Sequence, residues 1–171
     1  MKRLALVFCI GGILSGLLFK GSFLQIVIGM AAGIYLGLPI LFALTLWLIL
    51  GYCATGRVPP DLRRTFCVFL IFVGAVLLSL GCGMAIHYRE IHVTRAYVAQ
   101  VAPILDAYQK KQGTYPSNLG LLEIPDPPRL LSQPNSYWAD QNSFRFEYWD
   151  PAGLMDGYFF DNETRTWQYF D

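Results

Sequence analysis

The chain has 171 residues, of which 54% are hydrophobic and 15% charged, with a formal net charge of +1. That near-balance hides a division: residues 1–95 hold eight Lys/Arg against two Asp/Glu, and residues 96–171 hold five against ten. The apolar excess sits in the first half, which argues against a uniformly soluble chain, and no basic patch with interleaved aromatics points to nucleic acid as a partner.

Met1-Lys-Arg followed by Leu4–Phe19 has the basic start and apolar run of a signal peptide. No small-x-small cleavage site follows, no lipobox surrounds Cys9, and the next apolar run begins at Phe23, so the reading is an uncleaved membrane helix over about 4–20. The second run, 23–54, exceeds the roughly 20 residues that a span needs. It reads as one tilted helix kinked at Pro39, or as an interfacial piece followed by a span. A third span covers about 66–87 and passes without a turn signal into an amphipathic pattern.

Arg57, Arg63 and Arg64 lie between the second and third runs, Lys2 and Arg3 precede the first, and only Lys20 separates the first two. The positive-inside rule then places the N-terminus and the arginine loop in the cytoplasm. Three spans leave the C-terminal part outside. No ionisable residue falls in mid-membrane, which argues against a channel or pump. Small residues recur every four positions at Gly29, Gly33 and Gly37 and at Ala75, Ser79 and Gly83, with a further pair at Gly12 and Gly16. Such rows let helix backbones approach closely, within the chain first and with a partner or second copy next. Cys9, Cys53, Cys67 and Cys82 all lie in or beside the apolar runs, without zinc-like spacing.

Residues 88–171 read as a separate α+β domain, with 1–87 as the transmembrane region. Tyr97, Val101, Ile104, Leu105 and Tyr108 share one helical face, and Arg95, Asp106 and Lys110 lie opposite. Pro103 is expected to bend this helix, and Gly113 after Lys110-Lys111 to stop it. A Pro-rich stretch follows, with a short helix near Ser117–Leu122 capped by Ser117. Ser143–Trp149 alternates in strand fashion, with Phe144, Phe146 and Tyr148 on one face. Asp150–Gly157 is a turn, Tyr158–Phe160 a strand, Asp161–Arg165 a hairpin loop, and Thr166–Phe170 the last strand. The expected architecture is a long helix on a three-stranded antiparallel sheet.

Ala107-Tyr108-Gln-Lys-Lys-Gln-Gly113-Thr-Tyr115-Pro116-Ser-Asn-Leu119, following a membrane helix that runs straight into an amphipathic one, resembles type IV pilins and the major pseudopilins of type II secretion. The similarity covers about Thr65–Asp171, and GTYP is its most specific piece. Lys20-Gly21-Ser22-Phe23-Leu24-Gln25 echoes the family's processing site only faintly and lacks its glutamate. The resemblance implies a pilin-like fold for the outer domain and a scaffold-like role in the bacterial inner membrane. It also implies that calcium in the C-terminal region is worth weighing.

Asp150, Asp156 and Asp161 bracket a Gly-containing loop and offer oxygen ligands, but match no EF-hand spacing; the turn reading is preferred. His87 and His92 are five apart and point to different helix faces, so both are read as interfacially solvated. Ser117, Ser132, Ser136 and Ser143 have no histidine nearby and no nucleophile elbow. Burial is expected for at least two of Trp138, Trp149 and Trp167. No catalytic, cofactor or metal residues are assigned. The expected role is structural or protein-interacting, in a secretion or other membrane assembly. The alternative is an accessory subunit of a membrane enzyme or transporter, and the bilayer is the first partner in either case.

Overall fold

The computed structural model describes residues 2–58, 60–153 and 155–171. The chain divides into two compact units, Met1–Ile86 and His87–Asp171.

The first unit is helical. Helix α1 spans Lys2–Phe19 and stops where Lys20 and Gly21 both take positive φ. Helix α2 spans Phe23–Ala31, a π-helical stretch Ala32–Gly37 follows, and α3 spans Leu38–Thr55. Pro39 explains the widened turns before it: it has no N–H for the Tyr35 carbonyl, and its ring crowds that oxygen. Residues 23–55 thus form one helical run with a π stretch, ended by Gly56 in the left-handed region. Helix α4 spans Pro60–Gln112, and its residues up to Ile86 belong to this unit.

The expectation of three full spans needs correction. Among the described residues two helical runs are long and apolar enough to cross a membrane, Phe23–Thr55 and Asp61–Gln112. At 18 residues α1 is about 27 Å long, short of a hydrocarbon core of roughly 30 Å.

Packing within this unit follows the small residues. A Cβ placed on Gly12 would meet the Ala75 carbonyl oxygen at 2.5 Å, and one on Gly16 would lie 2.7 Å from both the Ser79 carbonyl oxygen and the Cys82 Cβ. Phe8 meets Phe72 edge to face at 6.2 Å. Residue numbers rise together along this contact, so α1 and α4 run parallel. A Cβ on Gly29 would touch the Leu80 side chain, whereas Gly33 faces open space. Gln25, which stands in the faint processing-site echo, has a packing role that its sequence context does not announce. Its amide donates to the Ser79 carbonyl at 2.8 Å and hydroxyl at 3.0 Å, and its Oε1 accepts from the Gly21 N–H at 2.9 Å. Ser79 in turn reaches Ser15 at 3.1 Å, so one polar cluster ties three helical segments together where apolar contact alone is unspecific.

In the second unit, α4 continues through Pro103 to Gln112, and Gly113 at φ +80° closes it by donating to the Gln109 carbonyl. Strands β1 (Tyr137–Ala139), β2 (Phe144–Trp149), β3 (Gly157–Asp161) and β4 (Thr166–Phe170) form an antiparallel meander in that order. The sheet therefore has four strands, where three were expected. The extra strand is only three residues long and follows a Pro-rich stretch. It is fixed by a tight turn in which the Asp140 carboxylate accepts from the Asn142 and Ser143 N–H groups.

The buried helix face also differs from expectation. Tyr97, Val98, Val101, Ala102 and Leu105 are buried, whereas Ile104 is 40% exposed and Tyr108 only half-buried. The stripe includes small residues that a search for large apolar ones passes over. Thr94 joins it because its hydroxyl donates to the Glu90 carbonyl one turn back. Across from this face lie Phe144, Phe146, Tyr148 and Phe160, with Leu130 and Leu131 from a 3₁₀ turn, Arg129–Leu131, closing the core. The expected helix at Ser117–Leu122 is a 3₁₀ turn, Leu119–Leu121, capped by Asn118 rather than Ser117; Asn118 accepts from the Gly120 N–H at 2.8 Å.

Candidate functional surface

Strand register decides which side chains share a face. Directly paired residues of an antiparallel sheet point the same way. Tyr137, Phe146, Phe160 and Trp167 form one row across the four strands, and they lie on the side that packs on α4. The opposite side carries the row Trp138–Arg145–Asp161–Thr166, then Glu147–Phe159–Gln168, then Trp149–Gly157–Phe170. No element of the second unit covers that side among the described residues. Trp138 is 56% exposed and Trp149 51%, so the expected burial of two tryptophans fails; only Trp167 is half-buried. The reason is the period of two: Trp138 and Trp149 have the parity of Arg145 and Glu147, not that of Phe144 and Phe146.

This outer face is ordered by its own contacts. The Arg145 guanidinium sits 3.8 Å from the centre of the Phe159 ring and pairs with Glu147 at 3.4 Å. Trp149 meets Phe170 edge to face at 5.2 Å. The Phe170 ring lies over Gly157, in the space that a Cβ there would need. Glycine at this strand position therefore admits the ring, and the ring restores the cross-strand contact that glycine lacks.

Two polar contacts fix the sheet along α4. His87, buried at 3% exposure, approaches the Asp150 carboxylate with Nε2 at 3.3 Å. The expected interfacial solvation of His87 is thus corrected: it anchors the β2–β3 turn, while His92 is exposed. At the other end Arg165 pairs with Asp106 at 2.6 Å, and the Tyr115 hydroxyl donates to the same carboxylate at 3.1 Å. Asp106 was expected on the solvent side; the β3–β4 loop reaches round to meet it. A third pair joins Arg129 to Glu90.

The three aspartates considered for calcium do not converge. Asp150 accepts from the Ala152 N–H and Asp161 from the Glu163 N–H, each as a turn cap at opposite ends of β3. Among the described residues no three His, Cys, Asp or Glu side chains are grouped to hold a metal ion. Of the serines, Ser132 and Ser136 donate to the carbonyls of Arg129 and Leu131 in the neighbouring 3₁₀ turn.

A cavity of about 510 Å³ lies beneath the loop between α4 and β1, with Tyr97, Asn118, Asp126, Gln133 and Tyr137 among its walls. Burial raises the Tyr97 phenol above its ordinary range, with a further push from the Asp126 carboxylate. Burial also raises Tyr137, whose hydroxyl donates to the Pro116 carbonyl at 2.9 Å. Comparison of the chain with protein-family models, with curated proteins and with solved structures gives no match.

Proposed function

We propose that this protein is a multi-pass membrane anchor that presents a pilin-like α+β domain outside the cytoplasm for a structural or protein-interaction role. The observation that carries this reading is the pairing of two unlike units. One holds apolar helices of spanning length, Phe23–Thr55 and the start of α4, with their large apolar side chains facing outward. The other has its own aromatic core and an uncovered, aromatic sheet face.

Arg57 before α4 and Arg63 and Arg64 in its first turns supply the orientation. Because these arginines immediately precede the apolar part of α4, the side taken by the second unit depends on them alone. Whether α1 crosses affects only the N-terminus. Its parallel packing on α4 favours a short crossing in the same direction, with bilayer thinning or snorkelling of Arg3 and Lys20 absorbing the mismatch. The resemblance to pilins rests on the long helix lying against an antiparallel meander and on the Gly113-Thr-Tyr115-Pro116 passage.

A reporter active only outside the cytoplasm tests the arrangement. Fused after Asp171 it should be active, and fused after Pro60 silent. The reverse pattern rejects the model. Co-purification from detergent extracts then tests the role: a stoichiometric complex with other structural membrane components supports it, and a complex with an enzyme or transporter subunit rejects it.

A further inference from the structure

Beside the isolated exposed Val93, Ile104, Leu121 and Trp138, the second unit carries several exposed apolar side chains at the end where the chain enters it. Tyr88, Trp149 and Met155 are 64%, 51% and 78% exposed, Tyr169 is also exposed, and Phe170 is half-buried. These residues come from the helix, from the two ends of the β2–β3 turn and from the last strand. The His87–Asp150 contact identifies which end this is. His87 is the first residue of the unit, directly after the apolar run that closes at Ile86. The second anchor, Asp106 to Arg165, lies 19 residues further along α4, or roughly 28 Å. The β2–β3 turn therefore marks the end at which the chain enters from the apolar helix, and the β3–β4 loop marks the far end.

We infer that Tyr88, Trp149, Met155 and Phe170 form an interfacial contact with the lipid headgroup region, seating the domain on the bilayer surface. This rests on the membrane reading given above. Three features select lipid as the occupant. Tyr88 follows the apolar helix directly, and the His87–Asp150 contact holds the turn that carries Trp149 and Met155 beside it, with Phe170 against Trp149. Its composition of Trp, Tyr, Phe and Met is that of groups with an apolar body suited to the boundary, where tryptophan and tyrosine are enriched. Arg89, exposed on the next helix position, offers a cation to headgroup phosphates. The contact has a function: a domain joined to its anchor by one helix gains a preferred orientation, and the far rows of the sheet face outward.

The two exposed tryptophans of one sheet face make the inference testable. Trp149 ends β2 beside the His87 end, whereas Trp138 pairs with Arg145, four residues back along β2. The separation is about 13 Å along the strand direction. Full-length protein labelled with 5-fluorotryptophan is placed in phosphatidylcholine bicelles containing a lipid spin-labelled near the top of its acyl chain. The fluorine resonances of Trp47, Trp138 and Trp149 are assigned with Trp→Phe variants, Trp167 follows by elimination, and relaxation is read in the unsubstituted protein. The expected result is strong enhancement for Trp47, which lies in α3, and for Trp149. Enhancement at Trp138 should be smaller by at least about tenfold, given its ~13 Å offset. Enhancement at Trp47 without any at Trp149 overturns the inference and leaves the membrane anchor standing. Equal enhancement at Trp138 and Trp149 overturns it too, because the whole sheet face rather than one end would then meet lipid. Absence of enhancement at Trp47 rejects the membrane reading itself.

Discussion

Leu105 and Ile104 are adjacent residues of similar volume, and the helical periodicity of the sequence puts both on the core face. The structure separates them: Leu105 is fully buried between α4 and the sheet, and Ile104 is 40% exposed. Truncating Leu105 to Ala removes the transfer free energy of the lost groups and leaves a cavity in a core that includes Val101, Phe144 and Phe146. Buried Leu→Ala changes cost about 2–5 kcal/mol, and a site this enclosed belongs near 3 kcal/mol or above. Ile104→Ala loses only part of its transfer term and leaves no closed cavity, so about 1 kcal/mol or less is expected. The assay is pulse proteolysis of the full chain in detergent across a urea series, read on fragments from residues 88–171. A unit of this size has a urea m-value of about 1 kcal/mol/M. Leu105→Ala should therefore lower the midpoint by about 3 M or more, or leave the unit unfolded without urea, and Ile104→Ala by about 1 M or less. Equal shifts for the two variants would show that the helix face is misplaced.

Other expectations follow from close approaches and titration. Gly16→Ala should destabilise the helical unit in detergent thermal melts, because the new Cβ would press on the Ser79 backbone, whereas Gly33→Ala, facing open space, should be neutral or slightly stabilising. Gly157→Val should lower the urea midpoint of the second unit by displacing Phe170, and a compensating Phe170→Ala should recover part of the loss. Tyr97, Tyr137 and Tyr148 all have phenols raised by burial. Their stabilising contribution is complete below the unfolded phenol value near 10 and is lost as pH rises through the folded values, so urea midpoints should fall above about pH 10. Tyr97→Phe removes a buried hydroxyl with no partner among the described residues; it should flatten that decline without loss of stability at pH 7.

Strong local signals made much of this fold legible. The strand Phe144–Trp149, the hairpin at Asp161–Arg165 and the stop at Gly113 each combine a periodic pattern with turn chemistry that allows few alternatives. The break at Lys20-Gly21 was readable for the same reason. What escaped depended on tertiary context. Strand β1 has only three residues, and the turn signal Asp140-Gln141-Asn142 marks it only once its pairing with β2 is known. Buried Thr94, Val98 and Ala102 do not stand out by size, so the helix face was assigned from larger neighbours. Two of the three tryptophans were expected inside because so few residues are available to fill a core, yet strand parity assigns Trp138 and Trp149 to the outer face. Gln25 carries no charge and so does not stand out as an ionisable group in the apolar runs would. A lone amide there was nevertheless a signal, since an apolar helix tolerates one mainly where it finds partners.

The second unit also shows how about eighty-five residues can hold together without covalent staples. Domains of this size bury a modest fraction of their surface and commonly add disulfides or a metal. All four cysteines are free and lie in the helical unit. Aromatic contacts do this work instead. Phe144 meets Tyr115, Phe146 and Phe160 at centroid distances of 5.0, 5.9 and 6.1 Å, and Tyr148 meets Tyr158 and Trp167 at 5.5 and 5.3 Å. Each such pair adds about 0.5–1.5 kcal/mol beyond area burial. These rings bridge neighbouring strands and link the sheet to the loop after α4, so they close the same sequence-distant connections that a disulfide would close. The polar anchors differ in kind. Arg165 is 45% exposed at its side chain and its pair with Asp106 is screened, so it contributes little energy and chiefly fixes the sheet's position along the helix. The core thus sets the stability of the unit, and the contacts at its two ends fix the position of the sheet along α4.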